Sequence, residues 1–249
     1  MCPGTSTASE ALLWARLLAR SGTVAENVRQ IAAFSFSVVL ACVLSPLCAA
    51  QNGKVETIGP LTDTSVSEAV RQTLDSKGYR VALDEGTPVC EIWIRKGVPA
   101  QTKKDVQGVI YTPLAESTLV GVLHFPQPGS DYRGQPIPAG FFTLRYELIP
   151  NDGNHLGAAP SRDFLLLIPA ASDPDPNATL RLQELVALSQ KATGTRHPGP
   201  LSLVQPDNAR TLPAVFKDDQ EHWTFSATMQ LVSAEELPFA LVVKGTAQQ

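Results

Sequence analysis

Apolar and polar residues alternate along two segments of the chain, with the period of two that is typical of half-buried β-strands. The first segment runs from Phe141 to Ile149 and the second from His222 to Val232. The apolar side consists of Phe142, Leu144, Tyr146 and Leu148 in the first segment and of Trp223, Phe225, Ala227, Met229 and Leu231 in the second. Each segment is therefore predicted to be an antiparallel strand with one face on a core and one face in water.

A continuous apolar segment from Phe164 to Ile168 predicts a central strand that is covered on both faces. The other segments of strand length are separated by turns rich in proline and glycine, and they are Tyr79–Leu83, Val89–Ile94, Gly108–Tyr111, Thr118–Phe125, Leu201–Val204 and Phe239–Val243. Many short strands at this spacing are typical of all-β domains. The pattern predicts a mainly β fold, an antiparallel β-sandwich or open barrel, with two short helices.

The two helices are predicted from periodicity and capping residues. Ser65 and Glu68 have the spacing of a capping box, and apolar residues recur at helical spacing after them. This pattern predicts a helix over residues 66–77, with Gly78 as its C-terminal cap. A second helix is predicted between Asn177 and Lys191, where it interrupts the series of strands.

The segment from Ile137 to Leu144, with the sequence IPAGFFTL, carries a resemblance. It resembles the Pro-Ala-Gly, aromatic, Thr/Ser, Leu junction between a turn and a strand that is found in several families of exported bacterial β-domains of unknown function. The resemblance covers a short part of the chain. It implies a glycine turn that leads into a strand, and it transfers no activity and no site residue.

The N-terminal region has the pattern of an export signal. No charged residue occurs from Gln30 to Gly53, Arg29 precedes this stretch, and the small residues Ala49 and Ala50 follow its apolar part. That apolar part is about 17 residues long, near the lower limit for a membrane-crossing helix. We predict cleavage after Ala50 and a periplasmic or secreted location; an uncleaved anchor and lipidation are the alternatives.

Domain boundaries follow from this interpretation. Residues 1–50 are assigned to a signal peptide preceded by an extension that a different start codon, for instance at Val24, would remove. Residues 51–249 are predicted to form a single β-rich domain, with no membrane span after cleavage. Three of the four cysteines leave with the signal, so no intramolecular disulfide is expected in the mature chain. The remaining Cys90 lies in an apolar segment, which favours a buried thiol.

The mature chain is mildly acidic. Losing Glu10, Glu26 and three arginines with the signal changes the net charge from −4 to −5. Because the lysines and arginines form no basic stripe, a nucleic-acid partner is not expected.

The loop between the two best-defined consecutive strands is the candidate ligand site. Asp152, His155, Arg162 and Asp163 combine an imidazole, a guanidinium and two carboxylates on one anchored loop, a set that can hold a metal ion or an anionic group. The alternative interpretation is structural, because Asp-Gly and Asn form turns and Arg162 with Asp163 can brace the loop.

Other motifs of catalysis are weak or missing from the sequence. Residues Asp173 to Glu184 have the length of a calcium-binding loop, but Ala178 stands where such a loop requires glycine. The histidines form no metal-binding pair, and neither a Gly-x-Ser-x-Gly elbow nor a glycine pattern for phosphates occurs. No metal and no cofactor are therefore predicted. Trp93 and Trp223 could stack on sugar rings, but their strand phase favours the core.

These observations favour an exported, non-catalytic domain that binds a small ligand, a glycan or a protein at its loop end. The first alternative is a metal-assisted or acid/base hydrolase that uses His155, Asp152 and Asp163, with Arg162 binding an anionic group of the substrate. The second alternative is a structural component of the cell envelope. The sequence alone does not choose the ligand or the partner.

Overall fold

The computed structural model describes residues 53–83, 86–102, 105–152 and 159–247, all within one compact unit that spans residues 51–249. The strands in these ranges are β1 (Lys54–Ile58), β2 (Gly78–Leu83), β3 (Thr87–Ile94), β4 (Leu119–Phe125), β5 (Gly129–Ser130), β6 (Pro136–Ile137), β7 (Gly140–Leu148), β8 (Asp163–Pro169), β9 (Pro200–Val204), β10 (Ala214–Lys217), β11 (Trp223–Gln230) and β12 (Glu236–Lys244). The α-helices are α1 (Glu68–Thr73) and α2 (Leu182–Thr193). The predicted signal segment, residues 1–50, lies outside the described residues.

Ten strands form one antiparallel sheet in the order β1-β2-β3-β4-β7-β8-β9-β12-β11-β10. The two end strands, β1 and β10, lie in contact, so the sheet curls into an open barrel with a seam between them. The remaining two strands, β5 and β6, form a separate short hairpin. The predicted mainly β fold with two short helices is thus confirmed, and its form is an open barrel.

Side chains fill the interior of the barrel. Strands β2, β3, β4, β7, β8, β9, β11 and β12 all contribute to one buried apolar cluster, and the apolar sides of the two alternating segments belong to it. Cys90 and Trp223 are buried in the same cluster, as their apolar neighbours predicted. Because the interior is packed with aliphatic and aromatic groups, the barrel is a rigid scaffold.

Two smaller clusters cover parts of the outer surface. Helix α1 packs Val70 against Trp93 and its neighbours on β3 and β4. Helix α2 packs Leu185 on the outward-facing residues of β8, whose inward-facing residues lie in the main core. Strand β8 is therefore buried on both faces, which confirms the prediction for Phe164–Ile168. Among the described residues, no helix has the length and apolar character needed to cross a membrane.

Helix α1 is shorter than predicted. Its N-cap is Ser67, whose Oγ accepts a hydrogen bond from the N–H of Val70 at 3.2 Å, whereas Ser65 donates to Asp63. The helix ends at Thr73, and Gly78 begins β2 rather than capping the helix. A Cβ at Gly78 would lie 2.4 Å from Nε1 of Trp93, so this glycine leaves room for the indole. Helix α2 does end at Gly194, which has a φ of 64°.

Candidate functional site

Asp163 lies at the beginning of β8 and is completely buried. Its carboxylate accepts hydrogen bonds from the N–H groups of Ile110 and Tyr111, at 2.8 and 2.9 Å, and from the hydroxyl of Tyr146 at 2.7 Å. The backbone of the predicted strand Gly108–Tyr111 therefore bonds to a side chain, and this segment is a loop. These contacts give Asp163 a structural role.

Arg162 braces the same loop. Its Nε donates to the carbonyl of Ile149 at 2.9 Å, and its backbone N–H donates to the carbonyl of Gly108. Asp152 is exposed, so it does not share a surface with the buried Asp163, and His155 lies outside the described residues. The described residues therefore do not test the predicted site as a whole, and ligand binding by this loop stays a prediction.

The segment proposed to resemble a calcium loop is anchored by a buried ion pair instead. Arg145, on the outer face of β7, donates from Nε and Nη2 to the two carboxylate oxygens of Asp173, at 2.8 and 2.7 Å. The guanidinium also donates to the carbonyls of Ser117, Asp175 and Ala178. The arginine thus occupies the carboxylate that a calcium ion would need, which agrees with the departures noted in the sequence.

A row of four polar side chains and one aromatic ring crosses the outer face of five neighbouring strands. Paired positions place Glu56, Arg80, Glu91, His124 and Phe141 side by side on β1, β2, β3, β4 and β7. Nδ1 of His124 lies 3.0 Å from a carboxylate oxygen of Glu91, and the imidazole stacks on Phe141 at 4.1 Å. Burial raises the pKa of Glu91, but hydrogen bonds from His124 and Arg80 outweigh it and hold the pKa below its usual value.

This row orients an imidazole, as many catalytic and metal sites do. Yet in the described part of the chain no three histidine, cysteine or acidic side chains are placed to bind one metal ion. Among the described residues, the hydrogen-bond partner of the His124 imidazole is the carboxylate of Glu91 and not a hydroxyl or thiol. The row therefore provides an ordered surface without an activated nucleophile among these contacts.

Glu147 is a buried carboxyl group on the outer face of β7, with 3% of its surface exposed. Burial, partly offset by a hydrogen bond from the N–H of Leu148, and the negative charge of Glu116 raise its pKa from 4.5 to about 7. The folded protein thus holds a proton that the unfolded chain releases near pH 4.5. Since the folded state binds more protons between these values, the stability from this group falls as the pH rises from about 4.5 to 7.

We therefore expect Glu147→Gln to raise the free energy of unfolding by up to about 3 kcal/mol at pH 8 and to change it little at pH 4. Glutamine keeps the oxygen that accepts from Leu148 but removes the charge. Urea unfolding at the two pH values measures the effect, with Glu236→Gln as the matched control at an exposed site. An equal effect of Glu147→Gln at both pH values would contradict this interpretation.

A cleft opens at one end of the barrel seam, where β2 and β3 face the end of β11. It has a volume of about 230 Å³, and its lining is Asp75, Lys77, Tyr79, Ile94, Arg95, Lys96, Leu212, Pro213, Thr228, Gln230 and Glu236. Tyr79 and Ile94 belong to the barrel core and form an apolar wall of the cleft. The turn between α1 and β2 supplies Asp75 and Lys77, and the end of β3 supplies Arg95 and Lys96.

Most charged side chains of this cleft form no ion pair with another described residue. Among the described residues, Lys77, Lys96 and Glu236 form no ion pair. The carboxylate of Asp75 accepts from the N–H of Lys77 and from Oγ of Ser76, both at its Oδ1. Arg95 differs, because its guanidinium donates to Asn177 Oδ1 and to the carbonyl of Pro176. Lys77 and Lys96 can therefore bind an anionic group of a ligand. The carboxylates nearby can bind a cationic or hydroxyl group of the same ligand.

Comparison of the chain with protein-family models, with curated proteins and with solved structures finds no significant match.

Sequence reasoning missed the seam cleft for a simple reason. Its walls come from four separated parts of the chain, around residues 75–79, 94–96, 212–213 and 228–236, which only the curled sheet brings together. The one local signal is the cluster of charges in the turn from Asp75 to Lys77 and at Arg95-Lys96, directly beside predicted strands. Charged turns are common, so that signal alone does not indicate a site.

Proposed function

We propose that this chain is an exported domain that binds a small, carboxylate-bearing ligand in the seam cleft and does not act on it chemically. The export signal, the resemblance to exported β-domains and the composition support the location. The observation that supports the binding site is a cleft on an otherwise packed barrel, with two lysines that form no ion pair with any described residue.

The lysine-bearing walls of the cleft are preorganised. Lys77 and Lys96 project from a turn and a strand end that are tied together, because the N–H of Asp75 donates to the carbonyl of Ile94 and the N–H of Lys96 to that of Thr73. Binding then orders few additional groups, which lowers its entropic cost. The cleft is smaller than the roughly 300–1,000 Å³ of pockets for drug-sized molecules, so a small ligand or a short segment fits it.

The test is a binding measurement on the purified protein with a panel of small carboxylates that includes N-acetylglutamate, followed by calorimetry on the best binder. We expect Lys77→Glu combined with Lys96→Glu to weaken binding at least about tenfold, because hydrogen bonds to charged groups are worth about 1.5–3 kcal/mol. Both lysines are exposed, so the free energy of unfolding should change by less than about 1 kcal/mol.

Lys191→Glu is the matched control, since it reverses an exposed lysine on α2 that does not line the cleft. Binding should be unchanged in this variant. If no member of the panel binds, or if binding resists the double replacement in the cleft and is lost on His155→Ala, the proposal is wrong and the loop of residues 151–163 becomes the better candidate.

A further inference from the structure

The edge of β11 is open where it borders the seam cleft. Strand β10 begins only at Ala214, which pairs with Ser226, so the last residues of β11 extend beyond it. The next contact on that side is made at Gln230, whose carbonyl accepts from the N–H of Val98 at 2.8 Å. Between Ser226 and Gln230, on the side away from β12, lies Thr228, which lines the cleft.

Strand geometry determines where the backbone of Thr228 points. The N–H and C=O of a residue point to the same side of a strand, and the side alternates at each residue. Because Ser226 pairs with β10 and Gln230 bonds to Val98, Thr228 is in phase with them and points its backbone groups into the seam.

No hydrogen bond among the described residues satisfies these groups from the seam side. Three backbone groups therefore line the cleft. Thr228 offers its N–H as a donor and its C=O as an acceptor, and Gln230 offers its N–H as a second donor, with the spacing found between paired β-strands. An open strand edge of this kind pairs readily with another extended backbone. Lys77 and Lys96 supply positive charge in the same cleft.

We propose that the seam cleft binds an extended peptide segment that carries a carboxylate, and that this segment adds a short strand to β11 at Thr228. The inference rests on the proposed function and names its ligand class. One peptide residue pairs with the N–H and C=O of Thr228, and the carboxylate lies at the lysines. At about 3.4 Å per residue, a segment that pairs with Thr228 and reaches the N–H of Gln230 needs two or three residues.

The binding test uses acetyl-Val-Glu-Val-amide and two relatives that are singly N-methylated, one at the glutamate and one at the second valine. Because only every second amide of a strand faces its partner, one N-methylated peptide should bind at least about tenfold more weakly than the parent, and the other should bind like it. If both methylated peptides bind as tightly as the parent, the pairing is refuted. Acetyl-Val-Gln-Val with a free carboxyl terminus distinguishes a terminal carboxylate from a side-chain carboxylate as the source of the charge.

The protein side offers a matched pair of variants. Thr228→Pro removes the N–H that faces the cleft, and proline is tolerated where that N–H is not bonded within the sheet. Thr228→Val changes the side chain but keeps the N–H. We expect the proline variant to lose at least about tenfold in peptide affinity, while the valine variant retains it. Equal affinities in the two variants overturn the inference; if Thr228→Pro does not fold, the methylated peptides decide.

The two proposals fail in different ways. If N-acetylglutamate binds and depends on Lys77 and Lys96, but neither N-methylation nor Thr228→Pro weakens the peptide, the cleft is a ligand site without strand addition. If neither N-acetylglutamate nor any of the peptides binds, both proposals are wrong.

Discussion

Replacing Arg145 with methionine is expected to lower the free energy of unfolding by about 3–5 kcal/mol, the usual cost of removing one partner from a buried ion pair. Arg145 is 1% exposed and Asp173 is 3% exposed. The variant leaves the Asp173 carboxylate with Thr143 as its remaining side-chain donor, at 2.7 Å. It also removes the donors to the carbonyls of Ser117, Asp175 and Ala178, so the segment from Asp173 to Ala178 loses its anchor.

Two variants control this prediction. Arg181→Met removes an arginine whose side chain is 80% exposed in its ion pair with Glu184, and it should cost less than about 0.5 kcal/mol. Combining Arg145→Met with Asp173→Leu should recover much of the loss, because no unpaired charge remains buried. Chemical denaturation measures all three. A loss below about 1 kcal/mol for Arg145→Met alone would show that this ion pair does not anchor the segment.

Asp163→Ala is expected to destabilise the protein by more than about 3 kcal/mol. Three donors, the N–H groups of Ile110 and Tyr111 and the hydroxyl of Tyr146, would lose their common acceptor. Each buried donor left without a partner costs about 1–3 kcal/mol. Asp219→Ala, at an exposed aspartate, is the control and should change the free energy of unfolding by less than about 0.5 kcal/mol.

The same variant separates the two interpretations of the loop from Asp152 to Asp163. A large loss of stability identifies Asp163 as a structural carboxylate that joins this loop to the segment at Tyr111. If the Asp163→Ala protein is stable but no longer binds a ligand, the loop is the better candidate for the binding site. Thermal unfolding and ligand binding on one preparation give both answers.

The strands with a strong apolar pattern could be predicted from the sequence because burial dictates their periodicity. Strand β7 has an inward-facing apolar side that the barrel core requires, and β8 is apolar from Phe164 to Ile168 because α2 covers its outer face. The short end strands gave no such signal. Strand β1 has Lys54 and Glu56 on its outer face, and β10 has only four residues, all partly exposed.

The errors have a common physical cause, which is tertiary contact at long range. Gly108–Tyr111 has strand-like residues, yet the buried carboxylate of Asp163, over fifty positions away, takes its hydrogen bonds. Gly78 has the position of a helix cap, yet its small size serves the indole of Trp93. The seam cleft could not be predicted at all, because it exists only where the sheet curls and β10 starts late.

The central claim, that the seam cleft is the binding site, is tested most directly by mapping amide chemical-shift changes while acetyl-Val-Glu-Val-amide is added to the isotope-labelled protein. We expect the largest changes at Lys77, Lys96, Thr228 and Gln230, with small changes along α2. Largest changes in the loop of residues 151–163, or along the row from Glu56 to His124, would contradict the claim.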